Sequence, residues 1–262
     1  MINGRARAAR EIVSSLQGDI ASGRLPRGAR LPSERDLAQH FGVSQPTVRE
    51  AVRALDLMGL LDVRHGSGVY VTGDVADFLN ASLRVLLQVE RVGIMEVLDV
   101  RTLLGGFSAR RAAENVTADE LARMAGYVDA CDNASDNASP RELAAPAVSF
   151  QLAVSAAAGN PLLFAIESFL VKIIIQLQLT ALERHGGTFW KDRVASFGAD
   201  RRRLLTFITA HDGNGAASAM DMYLRTQLAV FSSDPELAAI SLTDPIDVAS
   251  QLDDMLPDLR RR

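Results

Sequence analysis

The sequence predicts a mostly α protein. An N-terminal winged helix-turn-helix precedes a C-terminal all-helical antiparallel bundle of six to seven helices. Three observations predict this. Residues 31–71, LPSERDLAQHFGVSQPTVREAVRALDLMGLLDVRHGSGVYV, read as two short helices joined by a tight turn, then a hairpin. Beyond residue 73 the apolar periodicity is helical almost throughout. The charge changes at the same place. Residues 1–73 hold 10 Arg against 7 Asp/Glu, a net +3, and residues 74–262 carry −7, giving the −4 of the whole chain. The expected domains are therefore 1–73 and 74–234, with 235–262 as an Asp- and Leu-rich appendage.

Each element has a local reason. Arg5 to Ser22 forms a first helix, because Ala9, Ile12, Val13, Leu16 and Ile20 recur at helical spacing. Gly23 and Pro26 end it. Ser33 is an N-cap, and Asp36 completes a box-like cap for a helix from Glu34 to about Phe41. Gly42-Val43-Ser44 makes the turn. Ser44 caps the next helix, Gln45 to about Met58, with Pro46 in its first turn and Gly59 at its end. Leu60–Arg64 and Val69–Thr72 are strand-like and flank a glycine-rich tip.

In the second part, helices are expected at 75–89 and 94–114. A third opens at the Thr117–Glu120 box and runs to about Asp132. Asn133 to Pro140 is a polar loop. Further helices follow at roughly 141–158, 161–184, 192–212 and 215–231, with a break at Gly186-Gly187. The longest apolar run, Leu162 to Leu179, is interrupted by Glu167 and Lys172, so a buried helix is expected there and no membrane partner. The single cysteine, Cys131, rules out an intrachain disulfide. The N-terminal MINGRARAAR lacks the apolar core of a signal peptide. The expected location is cytoplasmic.

The helix-turn-helix points to DNA. Val48, Ala51, Val52 and Leu55 form a packing stripe on the second helix, and Gln45, Arg49 and Arg53 lie beside it. Only the first turns of such a helix reach base edges. Arg binds guanine bidentately and Gln pairs with adenine. Arg35 is placed for a phosphate or base, and the wing tip Arg64-His65-Gly66 for the minor groove or backbone. The candidate DNA contacts are Arg35, Ser44, Gln45, Thr47, Arg49, His65 and Gly66.

LPSERDLAQHFGVSQPTVREAV, the following Gly59-Leu60 and the RHGSGVYV wing resemble the winged helix of the GntR family of bacterial transcription regulators. The same seven residues fall on that family's DNA-contact positions. Gln45 departs from the family's usual Arg. The body resembles the FadR-like branch with a helical (FCD-type) effector domain. Val97–Arg101 resembles its E-V-R helix, Ala109–Thr117 its Ala-rich segment, and Phe150 with Ala158-Gly159-Asn160-Pro161-Leu162-Leu163 its F-H…G-N-P-L-L pattern.

The resemblance implies a homodimer on palindromic operator DNA, acting as a repressor or, less often, an activator of a metabolic operon. Many members of this branch hold a divalent metal with one Asp and three His. Those positions align with Ala147, Gln151, Arg203 and Arg225 in this sequence, none a suitable ligand, so no metal or other cofactor is expected. Converging with Arg101, the residues Gln151, Arg203 and Arg225 would instead form an effector site for a small anion, such as an organic acid or an acyl thioester. Two alternatives stand beside this. One is a DNA-binding regulator whose bundle binds no ligand. The other is an enzyme, against which no HExxH, P-loop, nucleophile elbow or paired-carboxylate pattern is found.

Overall fold

A computed structural model describes residues 2–64, 66–72, 76–135, 137–182 and 187–239. The wing-tip His65, the expected domain boundary at Gly73-Asp74, His185, Gly186 and the expected appendage beyond residue 239 lie outside the described residues. The chain divides into two compact units, one ending at Val85 and the other beginning at Leu86.

The first unit holds α1 (Ile2–Ala21), α2 (Glu34–Phe41), α3 (Gln45–Leu57) and the hairpin β1 (Leu61–Arg64) and β2 (Gly68–Val71). Ile12 and Leu16 of α1, Leu37 of α2, Val48, Ala51 and Leu55 of α3, and Leu61 and Val71 of the hairpin close one core. The stripe read from α3 is the stripe that packs. Burying a leucine such as Leu55 contributes about 1.5–3 kcal/mol. Arg5 ties α1 to α3, lying 3.3 Å from Glu50 and donating to the Pro46 carbonyl at 3.2 Å.

Ser33 Oγ accepts the Asp36 N–H at 3.2 Å and donates to the Asp36 carboxylate at 2.7 Å. Gly42, at φ 64°, supplies the left-handed residue that reverses the chain between α2 and α3. Ser44 stands at the N-cap of α3 as expected. Its side chain, however, makes no bond to a helix N–H; its hydroxyl meets Thr47 Oγ1 at 2.9 Å instead.

β1 and β2 pair antiparallel, with Leu61 opposite Val71 and Arg64 opposite Gly68. The other edge of β2 is also used. Leu31 N–H donates to the Val69 carbonyl at 2.8 Å, and Val71 N–H donates to Ala29 at 2.9 Å. A third backbone segment thus supports a hairpin that would be marginal alone.

α4 (Ala76–Val89) spans the division between the units. The second unit proper contains α5 (Ile94–Asn115), α6 (Ala118–Asp132), α7 (Pro140–Ala157), α8 (Pro161–Ala181), α9 (Gly187–Ser196), α10 (Gly198–Thr209), α11 (Gly213–Ser233) and the short α12 (Pro235–Ala238). The capping box at Thr117 forms as read: Glu120 N–H donates to Thr117 Oγ1 at 3.3 Å, and Glu120 Oε2 accepts the Thr117 N–H at 3.0 Å.

The helix expected at 192–212 is two helices. Phe197, at φ −98° and ψ 6°, leaves helical geometry between α9 and α10 and buries its ring in the core. α5 and α11 pack closely because Gly105 has no side chain; a Cβ there would lie 2.5 Å from Leu224 Cδ1. By length and composition α8 could cross a membrane, yet most of its apolar window is buried within the unit.

Candidate nucleic-acid interface and ligand cavity

Arg35, Ser44, Gln45, Arg49 and Gly66 are all solvent-exposed. Gly66 takes φ 78°, a conformation that favours glycine. Thr47 departs from expectation. It is only 4% exposed, with its hydroxyl engaged by Ser44, so it braces the start of α3 and presents no free face for a base. Arg49 is held by Glu34 from α2: Nη2 lies 2.7 Å from Oε2 and Nε 3.1 Å from Oε1. The Glu34 carboxyl is thereby pulled below its usual range, first by the Arg49 hydrogen bond. On the wing, Arg64 lies 4.7 Å over the Tyr70 ring and 2.7 Å from Asp62. An exposed helix start with a free Gln and a guanidinium beside it, flanked by a glycine-tipped wing, is a surface shaped for a DNA groove.

The second unit holds a cavity of about 70 Å³ that opens to solvent on one side. Arg101, Gln151 and Gln227 stand on its wall, along with Gln178, Trp190, Arg193, Arg201 and Tyr223. Arg101 donates through Nη1 to Gln227 Oε1 at 3.1 Å and through Nη2 to Gln151 Oε1. Arg193 Nε donates to Gln178 Oε1 at 2.9 Å, and its guanidinium lies 5.2 Å from the Phe231 ring centre. Arg201 Nη2 donates to the Val194 carbonyl at 2.6 Å, and its positive charge acts on the nearby Tyr223 hydroxyl.

Two of the expected effector residues, Arg101 and Gln151, are here. Arg203 and Arg225 are not. Both are exposed, and Arg225 pairs with Asp221 at 2.7 Å on the outer face of α11. The reason is helical phase. A shift of two residues turns a side chain by about 200°, from one face to the other. The inward positions are Arg201, in line with Leu204 and Ile208, and Tyr223 and Gln227, in line with Met220 and Phe231. That spacing was readable in the sequence. The contributions of Trp190 and Arg193 were not, because they depend on where α9 is laid against the bundle.

The cavity is electropositive. Three arginines line it and no Asp or Glu does. Burial depresses the Arg101 and Arg193 guanidinium pKa values, yet arginine remains a cation in proteins. Burial also pushes the Tyr223 hydroxyl up, keeping it a neutral donor. Four buried N–H groups of the lining residues have no hydrogen-bond partner: Arg101 Nε, Trp190 Nε1, Arg193 Nη2 and Arg201 Nε. Buried donors left unpaired cost about 1–3 kcal/mol each.

A metal centre does not fit this donor set. Among the described residues no three His, Cys, Asp or Glu side chains come together. The cavity instead holds fixed cations, which would repel a divalent ion. His211 lies elsewhere, its Nδ1 2.8 Å from the Ala113 carbonyl near the end of α5.

A winged helix-turn-helix joined to a helical domain with an arginine-lined cavity defines the class of DNA-binding transcription regulators. Residues 8–71 match the family described as bacterial regulatory proteins, gntR family, and residues 96–226, half of the chain, match the FCD domain. The chain belongs to the GntR family of transcription regulators, in the branch with an FCD C-terminal domain, and it is not an enzyme.

Curated relatives agree. The HTH-type transcriptional regulator LutR of Bacillus subtilis is 29% identical over 210 residues, covering 78% of this chain and 92% of LutR. The HTH-type transcriptional repressor NanR of Escherichia coli is 27% identical over 206 residues, covering 76% of this chain and 74% of NanR. An HTH-type transcriptional regulator of Mycobacterium tuberculosis is 32% identical over 143 residues, or 53% of this chain, which spans 58% of that protein. Among solved structures, a GntR protein of Streptococcus agalactiae shares the fold with a TM-score of 0.62 at 23% identity, covering 84% of this chain and 99% of that one.

Proposed function

We propose that this protein is a cytoplasmic, effector-controlled repressor of a metabolic operon. It binds a palindromic operator as a homodimer and releases it, or grips it differently, when a small anion fills the helical domain. Arg35, Ser44, Gln45 and Arg49 read or position the major groove, and His65 and Gly66 of the wing approach the backbone or minor groove. Thr47 acts indirectly, by fixing Ser44. The repressor sign is borrowed from NanR, which is named as one.

The observation that carries the effector reading is the set of unpartnered buried donors on Arg101, Trp190, Arg193 and Arg201. A carboxylate offers about four acceptor sites and a negative charge. It would satisfy those donors and add negative charge where three arginines line the wall. The effector is bound directly by arginine and amide groups, without a metal. The size of the cavity favours a small organic acid over an acyl thioester. The effector moves the DNA-binding equilibrium by its differential affinity for two arrangements of the protein, typically about 1–3 kcal/mol.

A thermal-shift screen of small mono- and dicarboxylic acids tests this, followed by operator-release assays with each hit. A rise in Tm with wild type that disappears in Arg201→Met supports the reading. Equal responses in both proteins, or none to any acid, would refute it.

A further inference from the structure

Arg30 is bound to the wing from outside the hairpin. Its backbone stands directly opposite Tyr70 of β2. Two bonds flank this pair and fix its position: Leu31 N–H donates to the Val69 carbonyl at 2.8 Å, and Val71 N–H to the Ala29 carbonyl at 2.9 Å. Residues opposite one another in a ladder share a face, and so do residues two apart on one strand. Arg30, Tyr70, Asp62, Gly68 and Arg64 therefore lie on one face of the ladder. The other face carries Leu31, Leu61 and Val71, which are buried in the core, so the face of Arg30 is the outer one.

Two guanidiniums share this outer face, and they differ in charge balance. Arg64 is 2.7 Å from the Asp62 carboxylate and lies over the Tyr70 ring. Arg5, Arg7, Arg24 and Arg49 of the same unit also pair with carboxylates. Arg30 does not. It is exposed, and among the described residues its side chain makes no ion pair or hydrogen bond. Its guanidinium instead lies over Gly68, where a Cβ would be 2.7 Å from Arg30 Nε. Gly68, at φ 114°, leaves that space open. A cation packed on the wing backbone and neutralised by none of its own acids is available to an anion from outside.

We infer that Arg30 grips a phosphate of the operator backbone, at the rim of the groove that the wing tip enters. The inference rests on the reading that the wing lies on DNA, and it adds a contact outside both the recognition helix and the tip. Gly68 is two residues behind Gly66, about 7 Å along the strand. The minor groove is about 7.5 Å deep, so a cation set that far behind an inserted tip stands level with the bordering phosphates. The planar guanidinium fork suits two phosphate oxygens. Such a contact fixes the register of the wing and carries no base information. It strengthens binding to operator and unrelated DNA alike.

Titration of the full chain with an operator duplex and an unrelated duplex, at several salt concentrations, tests this. Each neutralised phosphate contributes about 0.9 to the slope of log K against log salt. Arg30→Gln is expected to lower that slope by about 0.9 per bound chain on both duplexes. At about 0.1 M salt this is roughly an 8-fold loss of affinity per chain. Arg30→Lys is expected to keep the wild-type slope, because it keeps the charge. Both variants are expected to melt like wild type, since the side chain makes no bond within the chain. An unchanged slope in Arg30→Gln, or a loss confined to the operator, overturns the phosphate contact. His65→Ala separates this from the wing reading. If it weakens operator binding while Arg30→Gln does not, the wing stays on the DNA and Arg30 is removed from the interface. If neither variant changes binding, both readings fall.

Discussion

Arg49 clasps Glu34 with two nitrogens of its guanidinium, Nε 3.1 and 3.2 Å from the two carboxylate oxygens and Nη2 2.7 Å from one of them. The pair joins the start of α2 to the first turns of α3 and aims the guanidinium that the DNA reading assigns to a base. It also fixes a pH dependence. The Glu34 carboxyl is held below its ordinary value of 4.5, chiefly by the Arg49 hydrogen bond. A depressed carboxyl pKa stabilises the fold above the unfolded value, and that contribution is lost as pH falls through the lower folded value. The stability difference between wild type and Glu34→Gln should thus be small but measurable at pH 7 and shrink steadily as the pH falls below the ordinary carboxyl value. Urea titrations at neutral pH and through the acid range check it. A difference that persists in acid would show that the ion pair is not its source.

Glu34 also competes with DNA for Arg49. Arg49→Ala is expected to weaken operator binding by about 10- to 100-fold, the worth of one good bidentate contact. Glu34→Gln is expected to raise affinity for unrelated DNA and steepen its salt dependence, because one negative charge leaves the interface. Titrations at several salt concentrations separate these effects. Unchanged operator affinity in Arg49→Ala would remove Arg49 from the reading surface.

Gln45 is the exposed first residue of α3. Gln45→Arg should move the base preference at one position of each half-site from adenine towards guanine. Selection of binding sites from a random pool compares the two proteins. Identical selected sequences would mean that position 45 does not read a base.

Arg201 is 1% exposed with its Nε unpartnered. Replacing a poorly compensated buried charge with an apolar side chain of similar size is often stabilising by about 1–4 kcal/mol. Arg201→Met is expected to raise Tm in the absence of ligand while abolishing the response to acids. Loss of folding instead would show that its bond to the Val194 carbonyl and its packing outweigh the cost of the buried charge.

Two glycines give a matched pair of opposite sign. At Gly105 a Cβ would collide with Leu224, while at Gly126 on α6 it meets nothing within 4 Å. Gly105→Ala should cost about 1–3 kcal/mol through overpacking of α5 on α11. Gly126→Ala should stabilise by roughly 0.5–1 kcal/mol through helix propensity. Thermal denaturation of the two variants decides it.

Much of this protein is written locally in its sequence. The cap at Ser33, the turn at Gly42, the stripe Val48–Ala51–Val52–Leu55, the wing and the Thr117 box each depend on residues a few positions apart. The caps and the turn are satisfied within a few residues, while the stripe and the wing are completed by α1 and the Ala29–Leu31 segment. The exposed start of α3 follows from the same stripe, so the exposure of Ser44, Gln45 and Arg49 was legible too, while Thr47 turned inward to Ser44.

Tertiary structure decided the cavity. Whether an arginine on a helix points in or out depends on phase, and an error of two residues reverses it, which is why Arg201 faces the cavity and Arg203 faces water. The break at Phe197 and the course of α9, which brings Trp190 and Arg193 to the wall, follow from what the core must bury. The sequence by itself thus determined that the chain carries a DNA-reading head on a helical body. Only the packing of that body decided which cations converge, because that convergence joins residues up to 126 positions apart, as between Arg101 and Gln227.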